Sequence, residues 1–197
     1  MKKLLPLFLI IILAGCTHKV YLPLMPDYDT EVEASNELTA LTPSLKFCQG
    51  DFVDKRSNVS MYATFKQQVH TYNLYAERPI EEAIFDGLAV MLDKSGHSWS
   101  DSGEGQIKVN LQLLTSTASR NAGFVSVGAT SSVQVKLDFV NNDSGDLIYS
   151  QIYNGTDDRS QAMIGLIDMV KKSIDASIVD CINNVANDES LAQALNK

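Results

Sequence analysis

Few side chains in this 197-residue chain have the types and spacing that chemistry requires. Ser98 follows His97 in "GHSWS" (residues 96–100), the outline of a nucleophile elbow. An elbow holds its serine on a strained strand-to-helix turn between two glycines. Here the closing position is Ser100, and Gly96 falls where a helix gives way to a strand. Glu81, Glu82 and Asp86 form a second cluster. Paired carboxylates do acid–base work when burial raises one pKa, but a first-turn glutamate pair also simply satisfies a helix dipole. His18, His70 and His97 are scattered, with no metal-ligand spacing. The turn Asp143-Ser144-Gly145-Asp146 lacks the alternating ligands and closing glutamate of a calcium loop. There is no phosphate-binding glycine loop and no Ser-x-x-Lys pattern. The sequence therefore assigns no catalytic residue, no metal and no cofactor.

The remaining reactive type is cysteine, at positions 16, 48 and 181. Lys2 and Lys3 precede an apolar run from Leu4 to Leu13, broken only by Pro6. A membrane-crossing helix needs about 20 apolar residues, so this run reads as the core of a signal peptide. It ends in Leu13-Ala14-Gly15-Cys16, which resembles the bacterial lipobox, where the cysteine is diacylglycerol-modified, exposed by cleavage and N-acylated, with palmitate a common chain. Several acyl chains anchor stably where one does not. In enterobacterial lipoproteins an aspartate after the cysteine signals inner-membrane retention. Thr17 stands there in this chain, so the resemblance implies the outer membrane, on its periplasmic face. Cys48 and Cys181 would then share an oxidising compartment. A disulfide between them would stabilise by about 4–5 kcal/mol in the chain-entropy model. Against it, Cys48 alternates out of phase with Leu45 and Phe47. The sequence leaves a pair and two separate thiols open.

Cleavage after residue 15 leaves 182 residues, enough for one domain with a real core. Losing Lys2 and Lys3 leaves 14 basic against 24 acidic residues, a net charge of −10. Nothing in that balance is a basic footprint, so nucleic acid and electrostatic docking to anionic lipid are both disfavoured, and solubility accounts for the acidity.

The elements that must position these residues follow from periodicity. Residues 17–44 show no sustained period and contain Pro23, Pro26 and Pro43. They read as a tether, whose 28 residues at roughly 3.3 Å each span on the order of 90 Å when extended. The alternative is that Val20, Tyr21, Leu22, Leu24 and Met25 dock on the domain or near the membrane. From residue 45, "LKFCQGDFVDKR" and "HTYNLYA" (70–76) read as strands. "PIEEAIFDGLAVMLDKSG" predicts a helix, with Pro79 at its start, Ile80, Ile84, Leu88 and Met91 on one face, and Gly96 as the stop. Ile107, Val109, Leu111 and Leu113 alternate with polar residues, as do Val133, Val135, Leu137 and Phe139. Such half-wet strands predict an antiparallel sheet covered on one side. "NNDSGD" predicts a hairpin turn into "LIYSQIYNG". A last long helix spans about 160–185, with Met163, Ile167, Val170, Ile174, Ile178, Cys181 and Val185 on its apolar stripe. The expected fold is a single α+β domain over 45–197, an antiparallel sheet with two long helices on one face, after a signal peptide (1–15) and an acylated tether (16–44).

The stretch "TSTASRNAGFVSVGATSS" (115–132) carries one charge, Arg120, among small residues. Small residues permit close strand approach, while a hairpin tip with Arg120, Phe124, Val125 and Val127 also suits a protein partner. Taken together, the lipobox, the proline-bearing tether, Asp54-Lys55-Arg56 after the first strand, the helix–strand–strand–strand–helix order and the acidic surface resemble the YajG-like bacterial lipoproteins. Asp54 and Arg56 match that family's Asp-x-Arg turn. The resemblance implies an outer-membrane lipoprotein of unestablished activity and carries over no catalytic residue. Cys48 and Cys181 are not features of that family. The expected function is a non-catalytic binding or structural module of the cell envelope, with a membrane-inserted lipid on Cys16 and an envelope protein as partner. An auxiliary lipoprotein of a transport or assembly complex is the alternative, and a hydrolase a distant third.

Overall fold

The computed structural model describes residues 17–57, 63–67, 70–122, 127–161 and 166–196. Cys16, Phe124, Val125 and Met163 lie outside the described residues. The chain runs β1 (Thr17–Leu22), α1 (Tyr28–Glu31), α2 (Asn36–Thr39), β2 (Lys46–Asp54), β3 (Ala63–Gln67) and β4 (His70–Ala76). It continues through α3 (Ile80–Lys94), β5 (Ser98–Ser100), β6 (Ile107–Ala122), β7 (Val127–Asn141), β8 (Leu147–Gln161), α4 (Leu166–Ala186) and α5 (Glu189–Leu195).

Among the described residues eight strands form two sheets, ordered β5-β2-β6-β7-β8 and β1-β4-β3. Two corrections to the expected fold follow. The main sheet is mixed, because β2 runs parallel to both β5 and β6, while β6, β7 and β8 are antiparallel. Strand direction is set here by the connection: the chain leaves β2, builds β3, β4 and α3, and returns, which is the crossover parallel pairing requires. The matching local sign is that Phe47 and Cys48, on opposite faces of β2, are both fully buried. The helices among the described residues number five rather than two, and range from 4 to 21 residues.

Periodicity located the core well. Ile80, Ile84, Leu88 and Met91 of α3 are buried, as are Val170, Ile174, Ile178, Cys181 and Val185 of α4. Helix α3 opens after Pro79 with Glu81 and Glu82 in its first turn, and stops at Gly96, whose φ of +82° suits glycine. Ile107 to Leu113 and Val133 to Phe139 turn inward as expected. The strands run much further than that alternation, because a bulge between Leu113 and Thr115 shifts the phase. Beyond it Ser116 and Ala118 take the inward places, facing the side that Ala129 and Ser131 fill from β7.

Those small residues let α4 approach the sheet. Ser131 Oγ donates to the Ser173 carbonyl at 2.6 Å, and Ser173 Oγ donates to Ser131 Oγ at 2.9 Å. Gly155, in the middle of β8, lies under α4: a Cβ there would stand 2.5 Å from the Cys181 backbone nitrogen and collide with the Ser177 carbonyl. Gly87 does the same between α3 and α4, where a Cβ would meet Ile182 at 2.9 Å.

Candidate functional site

The most informative region lies directly after the acylation candidate. Strand β1 begins at Thr17, one residue past Cys16, and pairs parallel with β4 in unbroken register from Thr17↔Thr71 to Leu22↔Ala76. Leu22 and Leu24 are buried, followed by Tyr28, Val32 and Leu38. Residues 17–44, expected as a tether with docking as the alternative, are thus packed on the domain. They have their own sequence signals: Asp27 and Ser35 cap α1 and α2 by accepting from the Thr30 and Leu38 amides. Each helix is a single turn, too short to show a period.

Polar groups fasten this strap from two helices. Lys94, which the sequence marks only as a last-turn cation of α3, donates to the carbonyls of Tyr28, Asp29 and Val32 at 3.2, 2.7 and 2.8 Å. The Tyr28 hydroxyl donates to the Ala83 carbonyl. From α4, Asn183 Oδ1 accepts from the Glu33 amide at 2.9 Å and its Nδ2 donates to the Glu31 carbonyl at 3.0 Å. Asp175 Oδ1 accepts from the Met25 amide at 3.2 Å. Burial drives the Asp175 pKa up, outweighing the pull of the Lys171 ammonium 2.6 Å away.

The hydrolase candidates do not assemble. His97 is buried, with Nδ1 accepting from the Leu45 amide at 3.1 Å and Nε2 facing the Leu38 carbonyl at 2.9 Å. An imidazole with Nε2–H donating and Nδ1 accepting satisfies both contacts, so each ring nitrogen is committed to the backbone. Ser98 sits on the short strand β5, bonded through its amide to the Leu45 carbonyl at 3.1 Å. Glu81 and Glu82 stay in the first turn of α3, and Asp86 pairs with Arg78 at 2.7 Å. A hollow between Leu41, Thr42, Pro43, Leu45, Leu195 and Asn196 is lined by no titratable side chain. Among the described residues, no three His, Cys, Asp or Glu side chains are grouped to hold a metal ion.

Asp54 and Arg56 form a tight turn. Arg56 Nη2 stands 2.6 Å from Asp54 Oδ2, Nε donates to both carboxylate oxygens at 3.0 and 3.1 Å, and the Arg56 amide donates to Oδ1 at 3.0 Å. Burial pushes the Asp54 pKa up, but the hydrogen bonds and charge of Arg56 outweigh it and hold the carboxyl below the usual range. On the outer face of the main sheet, Asp138 is likewise held low: burial raises it, and hydrogen bonds from Lys136, Ser150 and Gln112 prevail.

Cys48 and Cys181 are free thiols, both buried. Cys181 belongs to the continuous core with Phe47, and Cys48, on the opposite face of β2, does not. Burial raises both pKa values, that of Cys181 to about 12, so neither is a ready nucleophile at neutral pH. Of the proposed partner surface, Arg120 lies on β6 opposite Ala129, and Val127 opens β7 opposite Ala122, with β8 paired alongside through Val127↔Gln161.

The architecture and the leading sequence thus define a class: a one-domain α+β protein whose first described strand follows directly on a candidate acylation site, with no described helix long and apolar enough to cross a membrane. Residues 48–196 match the Lipoprotein_16 family, described as uncharacterized lipoprotein, and the chain belongs to that family. No curated protein matches it. Protein XCC0632 of Xanthomonas campestris, a DUF330 family member, shares the fold, with a TM-score of 0.52, 10% identity and coverage of 91% of this chain and 98% of that one. Looser overlays include the lipoprotein GNA1162 of Neisseria meningitidis, with a TM-score of 0.39, 8% identity and coverage of 67% and 95%. A minor lipoprotein of Acinetobacter baumannii has a TM-score of 0.37, 12% identity and coverage of 77% and 91%.

Proposed function

We propose that this chain is a YajG-like lipoprotein, held by acylated Cys16 in the outer membrane on its periplasmic face, and serving there as a non-catalytic binding or structural module of the cell envelope. The observation that carries the reading is Leu13-Ala14-Gly15-Cys16 at the front of a chain that belongs to a lipoprotein family. Thr17, in place of an aspartate, supports the outer membrane as destination. Its protein partner docks on the arm of sequence 115–132, around Arg120, Phe124, Val125 and Val127. The small and apolar residues of this stretch suit strand addition or close packing.

Cys16→Ser should abolish palmitate labelling and release the protein from the outer-membrane fraction. Unchanged fractionation would refute the anchor. In intact cells, crosslinking of the wild type should yield a partner adduct that Phe124→Ala and Arg120→Glu lose while remaining membrane-bound; an unaltered adduct would remove the arm from the interface.

A further inference from the structure

The small sheet has two unlike faces. Strand alternation turns Leu22 of β1 and Leu74 of β4 into the core, where they are 3% and 0% exposed. The opposite face of β1 carries Thr17, Lys19 and Tyr21, registered against Thr71, Asn73 and Tyr75 of β4. Tyr21 stacks on Tyr75 with ring centroids 5.3 Å apart, and Lys19 Nζ lies 5.8 Å from the Tyr75 centroid. Tyr21 is nevertheless 59% exposed, and Met25, four residues further on, 73%. These are the two exposed large hydrophobic residues of the described strap, and both follow closely on Cys16.

Charge separates this sheet from the rest of the molecule. The sequences of β1, β3 and β4, THKVYL, ATFKQ and HTYNLYA, contain two lysines and no acid. The whole chain has 24 acidic residues against 16 basic ones. A tyrosine pair with an ammonium beside it is the chemistry of a membrane interface: aromatic rings enter the acyl boundary, hydroxyls stay wet, and the cation meets phosphate. A molecule of net negative charge would otherwise be repelled by anionic headgroups.

We propose that the Lys19–Tyr21–Tyr75 face rests on the headgroup–acyl boundary of the bilayer that holds Cys16. The lipid then does more than tether the domain, because it brings one chosen face down on the membrane. The proposal rests on the lipoprotein reading of Cys16. What fixes the occupant is distance: with β1 in register from Thr17, one peptide unit separates the sheet from the acylated residue, so no slack remains to carry this face away from the bilayer. Rings seated this way sit about 5–10 Å into the boundary region.

The test uses the acylated full chain in vesicles of phosphatidylethanolamine and phosphatidylglycerol carrying brominated acyl chains, which quench nearby indoles. Flotation of the acylated protein, and not of Cys16→Ser, is established first. Tyr21→Trp should then lose at least half of its added emission in brominated vesicles, with Trp99 of the parent protein giving the background. Ile152→Trp, on the main sheet, should not respond. Adding Lys19→Glu and Tyr75→Ala to the Tyr21→Trp protein should reduce the quenching while flotation persists. A floating protein whose indole at position 21 is unquenched would overturn the proposal, including a case where a second copy shields that position. Absence of flotation would instead defeat the anchor, and this orientation with it.

Discussion

At the scale of single residues, the structure converts candidate reactive groups into structural ones. His97 is fully engaged by two backbone groups, and the two buried cysteines have raised pKa values. The clearest energetic consequence concerns Asp54. Its folded pKa lies below the ordinary 3.8, so its contribution to stability is complete above that value and drains away as the pH falls through the lower folded value. Asp54→Asn should lose about 1.5–3 kcal/mol at neutral pH, the range for hydrogen bonds to a charged group. The same variant should flatten the acid limb of the stability profile. Urea melts between pH 7 and 2.5 would check this, and a variant with the parent's acid slope would assign the effect elsewhere. The motif was legible because an acid and a base two residues apart after a strand need only a turn to meet. The clasp of Lys94, Asn183 and Asp175 was not, since each acts on backbone groups more than 60 residues away and backbone groups carry no sequence mark.

At the scale of elements, legibility followed length. Helix α3 and the inner stretches of β6 and β7 repeat their period several times, so sequence alone placed their buried faces. Single-turn helices α1 and α2 have no period to repeat. Strand β8 shows a different failure, since a glycine at 155 reads as a strand end and the strand runs six residues further. The residue is there for clearance: α4 rests its Ser177 and Cys181 backbone on it. Gly155→Ala should therefore destabilise by about 1–3 kcal/mol, as overpacking does, despite a gain in strand propensity. Thermal melts would show it, and a Tm at or above that of the parent would mean α4 can lift off without cost. The parallel setting of β2 was hidden for another reason: alternation fixes which side faces inward and says nothing of strand direction.

At the scale of the whole molecule, the boundary expected at residue 45 falls inside a continuous core. Leu22, Leu24, Tyr28, Val32 and Leu38 are all within 9% exposure, and burying each such side chain contributes about 1.5–3 kcal/mol. Together the five losses are comparable to the total stability of an ordinary domain. A chain starting at Leu45 should accordingly be aggregated or molten, whereas one starting at Thr17 should fold. Near-UV circular dichroism of the two would decide, and a native spectrum from the shorter chain would reinstate residues 17–44 as a dispensable tether.

The strap also sets an order of events. Its bonds to Asp175 and Asn183 span about 150 residues of sequence, so an early segment of the chain is secured by a late one. Contacts of such long range form slowly, and until α4 arrives the core that Leu22, Leu24 and Tyr28 enter is incomplete. The folding chain therefore passes through a stage in which residues 17–44 are open to chaperones and proteases. A product truncated before α4 never leaves that stage, and proteolysis can tell it from the finished protein at residues 17–44 rather than at the break.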